Sequence, residues 1–166
     1  MPKKDEGFRA IHVFNTTDRL LHKAAADYLA PVVDGFLSHS SYAYRKGLNR
    51  KGAANALKKA LSEGFTQGIK ADVSAFFDSV NIERLCLLLE GLFPLEPLIQ
   101  RLVQWLQGFG QAGIKGLPQG SPFSPLLSNL YLDQFDKDME KEGIRLIRFA
   151  DDFVVLFKEE LSKKEA

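Results

Sequence analysis

Phe149-Ala-Asp-Asp-Phe-Val-Val155 sets two adjacent carboxylates between two apolar runs, Ile144-Arg-Leu-Ile-Arg-Phe149 and Phe153-Val-Val-Leu-Phe157. Both runs are rich in β-branched and aromatic residues and read as strands, with the short link between them a hairpin turn. Two Asp side chains held at such a turn repel each other and lose hydration, which is costly unless a cation neutralises them. Asp is also a common turn former, so the pair alone is open to that plainer account. A hard, oxygen-loving ion such as Mg²⁺ suits the pair, and it points to phosphoryl chemistry.

Two further segments favour the chemical account. In Ile69-Lys-Ala-Asp-Val-Ser-Ala-Phe-Phe-Asp78, Ile69, Ala71 and Val73 alternate with Lys70, Asp72 and Ser74. That is strand periodicity, and it directs Asp72 away from the apolar face. Asp72 is thus a third carboxylate at a strand end. Between the two acidic segments lies Gly116-Leu-Pro-Gln-Gly-Ser-Pro-Phe-Ser-Pro-Leu-Leu-Ser-Asn-Leu-Tyr-Leu132, a Gly/Pro-rich turn that feeds a long helix. Ser124 before Pro125 predicts the helix start with Ser124 as N-cap, and Gly143 its stop. Leu127, Leu130, Tyr131, Gln134, Phe135, Asp138 and Met139 recur at helical spacing and predict the buried face.

Taken in order, these blocks resemble reverse transcriptases of the bacterial lineage that includes group II intron and CRISPR-associated enzymes. Asp72 to Phe77 resembles the first catalytic block of the palm, and Leu117-Pro-Gln-Gly120 with Ser124-Pro125 resembles the template-and-nucleotide block. Phe149-Ala-Asp-Asp152 resembles the aromatic-Ala-Asp-Asp turn, with Phe where Tyr is usual. Phe8-Arg-Ala-Ile-His-Val-Phe14 with Asp18-Arg19 resembles the fingers block, and Ser41-Tyr-Ala-Tyr-Arg-Lys-Gly47 the block after it. Leu130-Tyr-Leu-Asp-Gln-Phe-Asp136 leans towards the CRISPR-associated branch.

Bulk composition agrees. The chain has 166 residues, 45% of them hydrophobic and 26% charged, as in ordinary soluble globular proteins. The single cysteine, Cys86, lies in Leu85-Cys-Leu-Leu-Leu89 and reads as core filler, which excludes an internal disulfide. No apolar run approaches the ~18 residues of a membrane span, and Met1-Pro-Lys-Lys-Asp-Glu6 lacks the apolar centre of a signal peptide, so the expected location is the cytoplasm. No Cys/His metal spacing occurs, and His12, His22 and His39 read as surface or packing residues. No Walker-type or dinucleotide glycine motif occurs either.

The net charge of +1 is modest for a nucleic-acid enzyme, but its distribution is uneven. No acidic residue occurs between Asp34 and Glu63, where Arg45, Lys46, Arg50, Lys51, Lys58 and Lys59 all fall. Arg45, Lys46, Arg50 and Lys51, in a Gly-containing loop beside Tyr42 and Tyr44, are candidate contacts to a template backbone. Lys58 and Lys59 read better as a solvated helix face.

The expected layout is α+β, an antiparallel sheet backed by helices. A strand is expected over 8–14, a helix over 17–30 ending before Pro31, then a short helix and loop to Gly52, and a helix over 53–62. A strand at 68–74 precedes a helix at 82–91 capped by Asn81, and a helix from Leu98 to Gln107 precedes a loop through Gly108, Gly110, Gly113 and Gly116. The resemblance implies the fingers and palm of a right-hand polymerase. Residues 1–66 form the fingers portion and 67–158 the palm, with fingers elements interleaved around 92–120 and a charged tail at 159–166. It also implies that the palm's remainder and the helical thumb are absent, to be supplied in cis or in trans. On that expectation the isolated chain is an incomplete enzyme.

The implied activity is RNA-directed DNA polymerisation, adding dNTPs to a primer 3′-hydroxyl on an RNA template. Asp72, Asp151 and Asp152 are the implied catalytic residues. With the backbone carbonyl of Val73 they would hold two Mg²⁺ ions, for which Mn²⁺ would substitute, one acting on the primer hydroxyl and the other on the leaving pyrophosphate. Gln119 and Gly120 are implied to lie against the incoming nucleotide, and Arg9 to clamp its triphosphate. Phe77 is implied to be a steric gate against the ribose 2′-hydroxyl, or else is core. Asp78 stands outside the metal set. Implied partners are RNA template, DNA primer and dNTPs, with intron RNA or a CRISPR integrase according to branch, and no membrane. The alternative is a non-catalytic fragment of the same fold that binds RNA or a protein.

Overall fold

A computed structural model describes residues 11–158. Its elements are α1 (Thr16–Phe36), α2 (Arg50–Ser62), β1 (Gln67–Asp72), α3 (Phe76–Ser79), α4 (Ile82–Leu92), α5 (Pro97–Gln111), α6 (Ser124–Lys141), β2 (Arg145–Phe149) and β3 (Asp152–Phe157). The class is α+β, as the alternation of apolar runs implied. The chain divides into two compact units that interleave in sequence: residues 1–29 with 75–131, and residues 30–74 with 132–166.

The second unit holds an antiparallel sheet in the order β1-β3-β2. The two apolar runs around the acidic turn pair as a hairpin, with Phe149 opposite Asp152 and Ile147 opposite Val154. β1 adds to the other edge of β3, placing Ala71 opposite Phe153 and Asp72 opposite Asp152. Directly opposed residues share a face, so Ile147, Val154 and Leu156 fall on one side of the sheet. Ile147 and Leu156 there join Ala60 in a buried cluster, and Tyr42, Ala53, Ala56, Leu57, Phe65 and Val154 pack against it. The other side carries Arg148 and Phe153, which meet Asp136 and Phe135 of α6. The free edge of β2 is tied to residues 40–42: Arg148 N–H donates to Ser40 O (2.7 Å) and Tyr42 N–H donates to Arg148 O (2.9 Å). β1 is an edge strand, and its Ile69 remains 61% exposed.

The first unit is helical. α4 and α5 pack together, burying Leu85, Leu89, Ile99, Leu102 and Leu106. Asn81 caps α4 by accepting from Arg84 N–H (2.8 Å), as its position predicted, and Cys86 is a buried free thiol. His22 is buried among Phe14, Trp105 and Phe109, with Nδ1 3.1 Å from Ser121 Oγ.

Several expected boundaries move. α1 does not stop before Pro31 but continues to Phe36, with Pro31 inside it. The missing N–H of Pro31 is a local loss of about 3 kcal/mol, and the buried Val33 and Leu37 beyond it work against that loss. α5 likewise runs through Gly108 and Gly110 to Gln111, because Phe109 is held by the rings of Phe14 and His22. α2 starts at Arg50 because Asn49 caps it, accepting from Gly52 N–H (3.0 Å). Residues 11–15 contain no strand, although His12 N–H donates to Gln119 O (2.7 Å). Residues 8–10 of that expected strand lie outside the described residues.

α6 starts within one residue of the expected point and stops as expected, but Ser124 is its first helical residue and not its N-cap. Ser124 Oγ donates to Pro118 O (2.8 Å) and so fastens the Pro-Gln-Gly turn. At the other end Gly143, with φ +73°, donates to Glu140 O while Ile144 donates to Met139 O, a Schellman stop. The buried side of α6 includes Ser128, Asn129, Asp133 and Asp136, whereas Gln134 and Asp138 are exposed and bonded to each other (2.8 Å). The expected apolar face was correct at Leu127 and Leu130 and wrong at Gln134 and Asp138.

Candidate active site

The carboxylates of interest belong to one unit. Asp72 ends β1 and Asp152 begins β3, and the two are direct ladder partners. Val73 N–H donates to Asp151 O (3.3 Å), so the backbone of the acidic turn is joined to the end of β1. Directly opposed residues have Cβ atoms about 5 Å apart on the same face, so the Asp72 and Asp152 charges oppose each other at close quarters. Both side chains are exposed, and Lys70 Nζ stands 3.8 Å from Asp152 Oδ1. That pair is solvent-exposed and contributes little.

The turn itself is unusual. Phe149 pairs with Asp152, leaving Ala150 and Asp151 as a two-residue loop, and Ala150 has φ +62°. A positive φ at the first loop residue alone is the sign pattern of a II′ turn, where glycine is the ordinary occupant. An alanine there stores strain of roughly 1–2 kcal/mol. Arg148 reaches this turn from β2, its Nη1 donating to Ala150 O (2.9 Å). The rest of its guanidinium makes a fork onto Asp136, with Nε to Oδ1 at 2.8 Å and Nη2 to Oδ2 at 2.6 Å. Both partners are fully buried, and burial pushes the Asp136 carboxyl up while the Arg148 fork opposes the shift. The apolar reading of residues 144–149 passed over this pair. Alternation along β2 gave no signal of it, because both faces of the strand are covered and Ile147 and Arg148 are buried on opposite sides.

On the ladder, Phe149 lies opposite Asp152, and Arg50 stacks over the Phe149 ring at 5.1 Å. Tyr44 is 54% exposed with φ +60°, and its hydroxyl is pushed up first by burial and then by the Asp151 charge, with Arg50 opposing. Lys46, Arg50 and Lys51 are exposed. Arg45 is otherwise engaged. Its side chain is buried, with Nε donating to Asp34 Oδ1 (2.5 Å) and Nη1 to the carbonyls of Ser38 (2.6 Å) and Ser41 (3.0 Å). It holds the 34–45 segment together instead of presenting a charge to solvent.

The other unit carries Phe77, Gln119 and Gly120. Phe77 lies on the short helix α3, half-buried, edge-on to Phe76 at 6.0 Å, and its carbonyl accepts from Leu117 N–H (2.8 Å). Gly120 has φ +114°, and a Cβ there would meet His12 O at 2.4 Å, so only glycine fits. Gln119 is half-buried, its carbonyl accepting from His12 N–H. Arg9 lies outside the described residues.

Among the described residues no three His, Cys, Asp or Glu side chains stand together as a metal-holding group. The donors nevertheless suit a hard divalent cation in chemistry and in pairwise placement. They are carboxylate oxygens, and Asp72 and Asp152 oppose each other where like charges are destabilising.

A profile of the family described as reverse transcriptase (RNA-dependent DNA polymerase) matches residues 1–166. The chain belongs to the reverse transcriptase family. Such enzymes generally use divalent metals. The group II intron-encoded protein LtrA of Lactococcus lactis subsp. cremoris is 26% identical over 145 residues, covering 81% of this chain and 23% of that protein. A solved partial Cas6-RT-Cas1–Cas2 complex matches at 37% identity over 90% of this chain and 28% of the other, with a TM-score of 0.49. Apo telomerase from Candida tropicalis shares the fold, with a TM-score of 0.54 at 15% identity over 90% of this chain and 32% of that one. A group II intron-encoded relative is what the resemblance implied. The chain spans 18% of the length of one curated relative, 55% of a second and 17% of a third. No helix among the described residues is long and apolar enough to cross a membrane.

Proposed function

We propose that this chain carries the catalytic carboxylates of an RNA-directed DNA polymerase, acting on a primer 3′-hydroxyl and a dNTP. The observation that supports it most directly is the ladder pairing of Asp72 with Asp152, with Asp151 joined through its carbonyl to Val73 N–H. These are acidic groups at a sheet end, on a member of the reverse transcriptase family. Asp72, Asp151 and Asp152 are the residues that would hold Mg²⁺, with Val73 supplying a backbone carbonyl. Bound divalent ions supply a lowered pKa at the attacking hydroxyl and charge neutralisation at the phosphates.

The chain's own groups would do the remainder. Arg50, with its guanidinium carbon over the Phe149 ring, and the exposed Lys46 and Lys51 would offer cations to a template backbone, while Arg45 shapes the segment that presents them. Gln119 and Gly120 would lie against the incoming nucleotide, Gln119 offering paired donors and acceptors, and Arg9 would meet the triphosphate. Phe77 would exclude a ribose 2′-hydroxyl. Intron RNA or a CRISPR integrase is the expected partner, according to the branch of the family.

Primer extension on an RNA template, with dNTPs and Mg²⁺, tests the proposal. With the palm remainder and thumb supplied in cis or in trans, the wild type should extend, and Asp72→Asn and Asp151→Asn should each lower extension by about 10³-fold or more while leaving thermal unfolding within a few degrees. Binding of primer–template with no extension by the wild type would favour a non-catalytic, RNA-binding role.

A further inference from the structure

We propose that the buried Arg148–Asp136 pair holds the carboxylate-bearing turn in its strained shape, making Arg148 a positioning residue for cation capture at Asp151 and Asp152. The inference rests on the function proposed above. Arg148 is 1% exposed in the middle of β2, and its backbone is fixed on both sides by Ser40 O and Tyr42 N–H. Its guanidinium is clamped by both oxygens of Asp136, an α6 residue in the same unit. From the same guanidinium, Nη1 donates to the Ala150 carbonyl at 2.9 Å.

That carbonyl belongs to the peptide plane between Ala150 and Asp151. Fixing its oxygen fixes the rotation that aims the Asp151 Cα, and with it the side chain. Ala150 sits at φ +62° without the freedom of glycine, and such backbone persists only where neighbours over-determine it. Arg148, at Ala150 O, and Val73 N–H, at Asp151 O, are neighbours seen to do so, and Arg148 is the one that acts on the strained residue itself. A buried ion pair is a poor device for stability alone, because well-packed apolar residues of like volume serve as well or better. A fork that also reaches the turn through Nη1 does what an apolar pair cannot.

The test separates holding the fold from aiming the turn. In the full chain, Arg148→Met with Asp136→Leu removes the buried charges together, and Arg148→Lys keeps a charge for Asp136 but loses the fork. Thermal unfolding, Mn²⁺ affinity by electron paramagnetic resonance, and the Mg²⁺ concentration for half-maximal primer extension are read for each. Residues that orient metal ligands typically change metal affinity about 10–100-fold, and that weakening is expected here in a double variant that still unfolds cooperatively. If the double variant does not fold, Arg148→Lys carries the same expectation. Asp151→Asn is the reference and should lose Mn²⁺ binding. Wild-type Mn²⁺ affinity in a folded variant, against a cation site that Asp151→Asn abolishes, overturns the positioning role alone. A wild type with no Mn²⁺ affinity overturns the proposed function and this inference with it.

Discussion

Gly116 is seated against the backbone of Phe77: a Cβ on residue 116 would stand 1.9 Å from the Phe77 carbonyl oxygen and 2.9 Å from the carbonyl carbon of Asp78. The neighbouring Leu117 N–H donates to the same Phe77 oxygen at 2.8 Å. The glycine that opens the Pro-Gln-Gly turn therefore sets the depth at which α3, and the Phe77 ring, is held.

Gly116→Ala meets two penalties, a clash with main chain that has no rotamer to yield, and a φ of +59°. Left-handed strain of roughly 1–2 kcal/mol plus overpacking of roughly 1–3 kcal/mol predicts a loss of about 2–5 kcal/mol in denaturant unfolding. Gly113→Ala, with φ +77° and nothing within 4 Å, should lose only the strain. Equal losses at the two positions would remove the claim that Gly116 matters through contact.

Sugar selection is the chemical counterpart. If Phe77 bars the 2′-hydroxyl, Phe77→Val should raise ribonucleotide use relative to deoxynucleotide use by about 10-fold or more, with deoxynucleotide incorporation suffering less. Single-nucleotide addition with each sugar measures the ratio. An unchanged ratio would make Phe77 an ordinary packing residue beside Phe76.

Ala150 offers a test of turn strain. Ala150→Gly relieves the positive φ but gives the unfolded chain more freedom, so its stability should stay within about 1 kcal/mol of wild type. Ala150→Val places a β-branched residue at φ +62° and should cost about 2 kcal/mol or more. Thermal melts of the two variants would refute the strained turn if valine were tolerated as well as glycine.

The hairpin was legible because its signal is local: two alternating apolar runs and a short acidic link leave little choice of pairing. Caps at Asn81 and Gly143 were legible for the same reason. What escaped was set by distant residues. Pro31 and Gly108 looked like stops, yet buried Val33 and the ring contacts of Phe109 carry both helices onward. Asp136 followed a polar pattern that gave no hint of its bond to Arg148, and Arg45 looked like a surface cation until Asp34 and two carbonyls were seen to surround it. Both misreadings concern charges buried by tertiary structure, which periodicity along one element does not reveal.

His22 should give the helical unit a pH dependence. Burial lowers its pKa below 6.5, outweighing the opposite influence of Asp18. In the unfolded chain the imidazole takes up a proton near 6.5, whereas in the folded chain it resists. Between those two points the unfolded state binds more protons, so stability falls as pH drops below about 6.5. Unfolding measured from pH 7.5 to 5.5 should show this fall, and His22→Gln should flatten it. An identical pH profile in His22→Gln would assign the dependence to another group.

The opposed carboxylates predict a linkage between cation and stability. Without a divalent ion, Asp72 and Asp152 face each other as like charges on one ladder rung, a loss of roughly 0.2–1 kcal/mol. Asp72→Asn removes that repulsion while leaving the Lys70–Asp152 pair in place, so in chelator the variant should unfold slightly later than wild type. Adding Mg²⁺ reverses the order. A ligand that binds only the folded state stabilises it by RT ln(1 + [L]/Kd), about 2.7 kcal/mol at one hundred times Kd, and the wild type should gain more of this than Asp72→Asn. Thermal scans across a Mg²⁺ series would show the two curves crossing. A wild type indifferent to Mg²⁺, or an Asn variant that gains as much, would mean that this rung takes no part in holding the ion.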